Sequence, residues 1–192
     1  MIVMKFGGSS VESAAAIERV ASIVRSRVAM KPVVVVSAMG KTTNRLLAIA
    51  NDAVHGRRDQ ALEQLQELRS YHVEESTPLV RDEDRQELDE VIDSHFQELG
   101  ELVRGLAILG ELTPRSVDAI SSFGERLSSH IVTFAFRRCG MKAVHVDSRK
   151  VIKTDNRHTH ANPIFPETYN RLSEEIPTFT EDGVVVMGGF IG

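Results

Sequence analysis

Lys5-Phe6-Gly7-Gly8-Ser9-Ser10 places a cation, two glycines and two hydroxyls side by side. Glycines let a ligand approach the backbone with no Cβ in the way, and a helix starting after them offers N–H groups and a positive dipole end. Lys5 adds a compact charge suited to phosphate. By residue type alone the segment is either a polyphosphate cradle or a Gly-Gly turn beside a solvated lysine. Ser37-Ala38-Met39-Gly40-Lys41-Thr42-Thr43 repeats the arrangement and suits an anion, either phosphate or carboxylate. It is not a Walker loop, because G-x-x-x-x-G-K-[ST] requires glycine where Val35 stands. No G-x-G-x-x-G is present, so a dinucleotide fold has little support.

Ser121-Ser122-Phe123-Gly124-Glu125-Arg126-Leu127-Ser128 sets a carboxylate next to a glycine. Glu125 there could receive a substrate ammonium or could be an exposed helix charge beside Arg126. Asp147-Ser148-Arg149-Lys150 and Thr154-Asp155-Asn156-Arg157 read as polar loops of either kind. His158-Thr159-His160 lacks a third placed ligand and reads as polar surface rather than a metal site. Cys139 has no assignable base and reads as structural.

The elements that must carry these residues follow from periodicity. Residues 2–6 form a short apolar run ending at Gly7-Gly8, a strand cut off by a turn. Ser9 and Glu12 have capping-box spacing, and Ile17, Val20, Ala21, Val24 and Val28 follow at helical intervals. Pro32 precedes four valines without polar alternation, the pattern of a strand buried on both faces in a parallel sheet. A helix after Gly40 carries Leu46, Leu47, Ala50 and Val54. Residues 58–111 show no strand signal. There Leu88, Ile92, Phe96 or His95, Leu99, Leu102, Leu106 and Leu109 predict a long amphipathic helix within a helical layer. A helix over 116–138, strands at 142–146 and 184–187, an extended piece at 151–154, a loop over 155–164 and a short helix at 166–175 complete the reading. The chain then ends on Gly188-Gly189-Phe190-Ile191-Gly192, where an α/β protein places a binding loop, so a cut through a larger fold is expected.

The 192 residues suit one domain, with 42% hydrophobic content and a net charge of −4. That balance argues against nonspecific nucleic-acid or membrane binding. A single cysteine excludes an intrachain disulfide framework and fits a reducing cytoplasm. No apolar run approaches the roughly 20 residues of a membrane span.

Taken in order, K-F-G-G-S-S-V, V-V-V-S-A-M-G-K-T-T-N-R-L-L, S-F-G-E-R-L-S, V-D-S-R-K-V-I-K-T-D and G-G-F-I-G resemble the aspartokinases of the amino-acid kinase family, from Lys5 to Gly192. The resemblance implies a three-layer αβα sandwich, mainly parallel, with a helical insertion at about 58–111 and C-terminally incomplete. Residues 1–192 would be the N-terminal portion of the catalytic domain, without ACT regulatory domains. The implied reaction is transfer of the ATP γ-phosphoryl group to the β-carboxylate of L-aspartate, with Mg2+ accompanying ATP and no dedicated protein metal site. Lys5 would stabilise charge on the transferred group. Backbone N–H groups around Gly7, Gly8 and Ser9 would hold phosphates, and Ser37 would line the reaction centre. Thr43 and Glu125 would bind aspartate, Glu125 through its ammonium, and Phe190 would border that pocket. The family's G-R-G-G-S-D segment and adenosine seat are not in this sequence, so the chain alone is expected to be inactive and to self-associate through the truncated side. The alternatives are a non-catalytic module that binds an anion or amino acid, and an amino-acid kinase acting on another carboxylate.

Overall fold

The computed structural model describes residues 1–180 and 183–191. Four parallel strands, β1 (Ile2–Phe6), β2 (Pro32–Val36), β3 (Ala143–His145) and β4 (Val184–Gly188), lie in the order β1-β2-β4-β3. β2 is central, with Lys5 opposite Val35 and Val35 opposite Met187. Its valines are therefore covered from both sides, as an apolar run without alternation requires. β1 is an edge and alternates instead. Ile2, Met4 and Phe6 turn towards the main core, while Val3 and Lys5 stand exposed on the opposite face.

The helices are α1 (Ala14–Arg25), α2 (Thr42–Val54), α3 (Arg58–Ser76), α4 (Arg85–Leu109), α5 (Pro114–Arg138), α6 (Ser148–Val151) and α7 (Phe165–Thr180). α1 and α5 cover one face of the sheet, where Ile17, Val24, Ile131 and Phe136 join Val34, Val36, Val184 and Val186 in the main core. α7 covers part of the other face, packing Ile176 against Val33, Val185 and Met187. The result is a helix–sheet–helix sandwich. α3 and α4 form the helical insertion, a hairpin that packs with α2 and α5. On α4 the buried ladder is Leu88, Ile92, Phe96, Leu99, Val103 and Leu106, so Phe96 rather than His95 is the core rung. Leu109 is exposed, and Gly110 ends the helix in the left-handed region at φ 65° with its N–H on the Leu106 carbonyl. Pro114 occupies the first turn of α5, and Thr113 caps it by accepting from the Ser116 N–H at 3.1 Å. Among the described residues no helix is long and apolar enough to cross a membrane.

Three local expectations are corrected. The Ser9–Glu12 capping box does not form, because residues 8–10 make a 3-10 turn and α1 begins after Ser13, whose hydroxyl accepts from the Ala16 N–H. The extended piece expected at 151–154 is shorter, since Val151 belongs to α6 and extended backbone begins at Ile152. Asp147 caps the short α6 by accepting from the Arg149 N–H, and Thr154 makes only an isolated antiparallel bridge with Pro163. The short helix expected at 166–175 is longer, since α7 spans Phe165–Thr180 and contains Pro177.

Candidate active site

The carboxyl ends of β1, β2 and β4 bring three loops together, the position where open parallel sheets place ligands. The loops are stitched by backbone bonds. The Ser37 N–H donates to the Phe6 carbonyl at 3.0 Å, that of Gly40 to Gly8 at 3.1 Å, and that of Gly189 to Val36 at 2.8 Å. The two glycines of the first loop do different work. A Cβ on Gly8 would lie 2.9 Å from the Gly40 carbonyl oxygen and 3.0 Å from that of Ala38, so Gly8 permits the first two loops to dock. A Cβ on Gly7 would meet nothing within 4 Å, so its bare backbone faces open space. The N–H groups of Ser10 and Val11 are taken by Gly7 and Gly8, whereas those of Gly8 and Ser9 have no acceptor among the described residues. The start of α1 does not offer open amides in the same way, because those of Ala14 and Ala16 are paired with Glu75 and Ser13.

Lys5 is exposed at the end of β1, and its Nζ lies 5.3 Å from the centroid of the Phe190 ring. Phe190, at φ +57° and 83% exposed, thus reaches across the end of β2 from the third loop. Gly188 brings that loop onto α5, where a Cβ would lie 3.1 Å from the Glu125 Cβ. Ser148, which carried no signal beyond a polar loop, holds it there by donating from Oγ to the Gly188 carbonyl at 2.6 Å.

Glu125 sits on α5 and is 7% exposed. Gly124 makes the approach possible, since its Cβ would be 2.7 Å from the Ala38 Cβ and 3.5 Å from the Thr43 Oγ1. Thr43 and Glu125 are therefore neighbours across the α2–α5 contact. Burial raises the Glu125 carboxyl above its ordinary value, and hydrogen bonds from the Ala38 and Glu125 N–H groups oppose that. No cationic side chain contributes to holding its charge. A carboxylate removed from water without a cation gains most from a cationic ligand.

Thr43, Glu125, Ser148, Arg149, Gly189 and Phe190 line a cleft of about 1620 Å³ that also runs along the exposed sheet face by Val3 and Val35. Lys5, Gly7, Gly8, Ser9 and Ser37 lie outside its lining, and Lys5 meets it through the Phe190 ring. His158 and Thr159 serve a structural contact, both bonding the Asp118 carboxylate at 3.2 and 2.8 Å. Replacing Gly124 with alanine is expected to lower the urea midpoint. Overpacking typically costs about 1–3 kcal/mol, against roughly 1 kcal/mol gained in helix propensity. A raised midpoint would show that the Ala38 loop yields freely.

The model of the amino acid kinase family matches residues 1–192. The chain belongs to that family. As an amino acid kinase it is 35% identical over 196 residues to aspartokinase 2, chloroplastic, of Arabidopsis thaliana, covering 99% of this chain and 35% of that protein. Against the lysine-sensitive aspartokinase 3 of Escherichia coli (strain K12) identity is 29% over 194 residues, covering 100% of this chain and 41% of the relative. The crystal structure of E. coli aspartokinase III with aspartate and ADP superposes with a TM-score of 0.85 at 27% identity, covering 99% of this chain and 40% of that one. Its complex with lysine and aspartate gives 0.87 at 26% identity, with 99% and 41% covered. The chain thus spans about 35–41% of the length of these relatives. The αβα sandwich is the aspartokinase form of the amino acid kinase fold.

Proposed function

We propose that this amino acid kinase chain contributes the phosphate-facing loops and the aspartate seat of an aspartate kinase. In the proposed reaction a β-carboxylate oxygen of L-aspartate attacks the γ-phosphorus of ATP. The bond to the ADP oxygen breaks, and aspartyl phosphate and ADP leave. Such transfer depends on positioning and charge neutralisation more than on covalent help. Gly7, Gly8 and Ser9 would cradle the phosphates, Lys5 would meet the transferred group, and Ser37 would line the reaction centre. Thr43 and Glu125 would seat aspartate, with Phe190 at the border. Among the described residues no cluster of acidic, His or Cys side chains is arranged to hold a metal ion. The Mg2+ that accompanies ATP is compatible with that, being held by phosphates and water, and it supplies charge neutralisation on the nucleotide. The product opens the synthesis of lysine, threonine and methionine, a cytoplasmic role on this reading.

The observation that carries the proposal is Glu125, a buried carboxylate facing the cleft with no cation holding its charge. Its expected partner is the α-ammonium of aspartate. Glu125→Gln keeps the shape and removes the charge, and a hydrogen bond to a charged group is worth about 1.5–3 kcal/mol. In a full-length parent that carries this chain, the KM for aspartate should therefore rise by about ten- to a hundredfold. Succinate, which lacks the α-amino group, should be disfavoured by the wild-type protein and much less so by the variant. Equal discrimination by the two proteins would exclude Glu125 as the ammonium partner.

A further inference from the structure

We propose that Tyr71 and Glu75, both on α3 of the helical insertion, are positioning residues that hold the Gly7–Ser13 loop in its phosphate-facing shape; this rests on the reading of that loop given above. Two polar contacts span the distance. The Tyr71 hydroxyl donates to the Glu12 carbonyl at 2.6 Å across 59 residues of sequence, and Glu75 Oε2 accepts from the Ala14 N–H at 2.6 Å across 61. The second contact replaces the missing capping box. A carboxylate from another helix satisfies the first amide of α1 and lies at the positive end of that helix.

Tyr71 also meets the second loop. Its hydroxyl lies 3.3 Å from where a Cβ on Gly40 would stand, and Glu12 Cβ lies 3.4 Å from the same point. Gly40, at φ +53°, donates to the Gly8 carbonyl. One hydroxyl therefore sits where both glycine loops converge. The ring is in turn held by the Arg45 guanidinium, 5.8 Å from its centroid. The neighbouring His72 is fully buried and reaches the same helix start as Thr43, its Nε2 lying 3.4 Å from the Thr42 Oγ1.

Packing does not account for the two polar groups. α3 is fixed by Ala61, Leu65 and Leu68 in the core, none of which needs the Tyr71 hydroxyl or the Glu75 carboxylate. Within residues 7–11 the Ser10–Gly7 and Val11–Gly8 bonds are local, and the Gly40 N–H bond to the Gly8 carbonyl ties the loop at a single point. The contacts from α3 add a second long-range restraint, at residues 12–14. Ordering the loop before the nucleotide arrives lowers the entropy lost on binding.

The test compares Tyr71→Phe, Glu75→Leu and Glu75→Gln in a protein that carries this chain together with the G-R-G-G-S-D segment and the adenosine seat, read by amide hydrogen exchange and by steady-state kinetics. Tyr71→Phe and Glu75→Leu should speed exchange across residues 7–14 and leave β2 and β4 unchanged. Each should raise the KM for ATP by about two- to tenfold, the range spanned by one hydrogen bond of ordinary net strength. The KM for aspartate should stay within about twofold, since these contacts do not reach Glu125. Glu75→Gln keeps an oxygen acceptor and should restore both readouts. Unchanged exchange in residues 7–14, or equal rises in both KM values, would overturn the proposal. Absence of aspartate phosphorylation by a wild-type protein that carries this chain together with the G-R-G-G-S-D segment and the adenosine seat would instead remove the kinase reading, and the exchange data alone would then decide whether α3 braces the loop.

Discussion

Lys5→Ala, in a full-length parent that carries this chain, is expected to lower kcat by about 10²–10³-fold, by analogy with loss of one preorganised donor at a developing charge. The KM for aspartate should stay within about twofold, because the ammonium seat at Glu125 belongs to another loop. Lys5 stands at the carboxyl end of β1, exposed, beside the open face of Gly7. No carboxylate neutralises its ammonium among the described contacts; its recorded neighbour is the face of the Phe190 ring. A charge so placed is available to a ligand rather than spent on the fold, and β1 holds the lysine backbone in a hydrogen-bonded ladder. Negative charge spreads over the transferred phosphoryl oxygens as the bond to ADP breaks, so the lysine acts mainly in the transition state. Lys5→Arg would keep the charge but exchange a compact ammonium for a wider planar group, and should recover only part of the rate. An unchanged kcat with a raised KM for aspartate would move Lys5 from the phosphoryl group to the amino-acid seat.

How much of this site could be read in the sequence depended on the range of the interactions involved. Val33–Val36 announced a buried parallel strand because burial on both faces removes polar alternation, and β2 is central. Gly7 and Gly8 marked a loop for ligand approach, yet their division of labour depends on the Ala38 and Gly40 carbonyls of another segment. Glu125 was ambiguous between a helix charge and a ligand seat. The contact of Gly124 with Ala38, possible without a side chain at 124, and the approach of Gly188 to the Glu125 Cβ cover it. The start of α1 was misplaced because Ser9 and Glu12 have the right local spacing, whereas the effective caps are Ser13 and a glutamate 61 residues away. Neither Tyr71, Glu75 nor Ser148 carries a local signal, since each acts on backbone supplied by a distant element. Ser148 could have been suspected only from its place after Asp147 at the end of a strand.

Stability should fall steeply as the pH drops from about 6.5 to 4, because the fold keeps three or more histidines neutral. His72 is fully buried, and burial lowers its pKa to about 4; the bond from Nδ1 to the Leu68 carbonyl opposes the shift only in part. His130 and His145 stack at 3.7 Å with His95 5.5 Å from His130. Burial lowers His130 to about 3, with His145 and His95 adding to the shift, and lowers His145 to about 4, with His95 adding; Asp147 opposes both. A folded-state pKa below the unfolded value means that the unfolded chain binds the proton first. The contribution is complete above about pH 6.5 and is lost as the pH falls through the folded values. At about 1.4 kcal/mol per pH unit, His72 alone withdraws on the order of 3 kcal/mol over that range. Against a typical total of about 5–15 kcal/mol that is a large share. The stacked pair adds to it in coupled steps that belong to the pair rather than to either ring. Glu125 acts in the opposite sense, since burial raises its carboxyl and protonation relieves the cost of burying its charge. Asp147, held at about 2 by Arg149, loses its contribution only below the ordinary carboxylate range. The histidines therefore dominate between pH 6.5 and 4. Urea midpoints measured across that interval should fall continuously in the wild-type protein. His72→Gln, which cannot titrate, should start less stable and show a shallower slope. A flat wild-type profile from pH 7 to 5, or an unchanged slope in the variant, would mean that these rings are already protonated, or are wet enough to be protonated without cost.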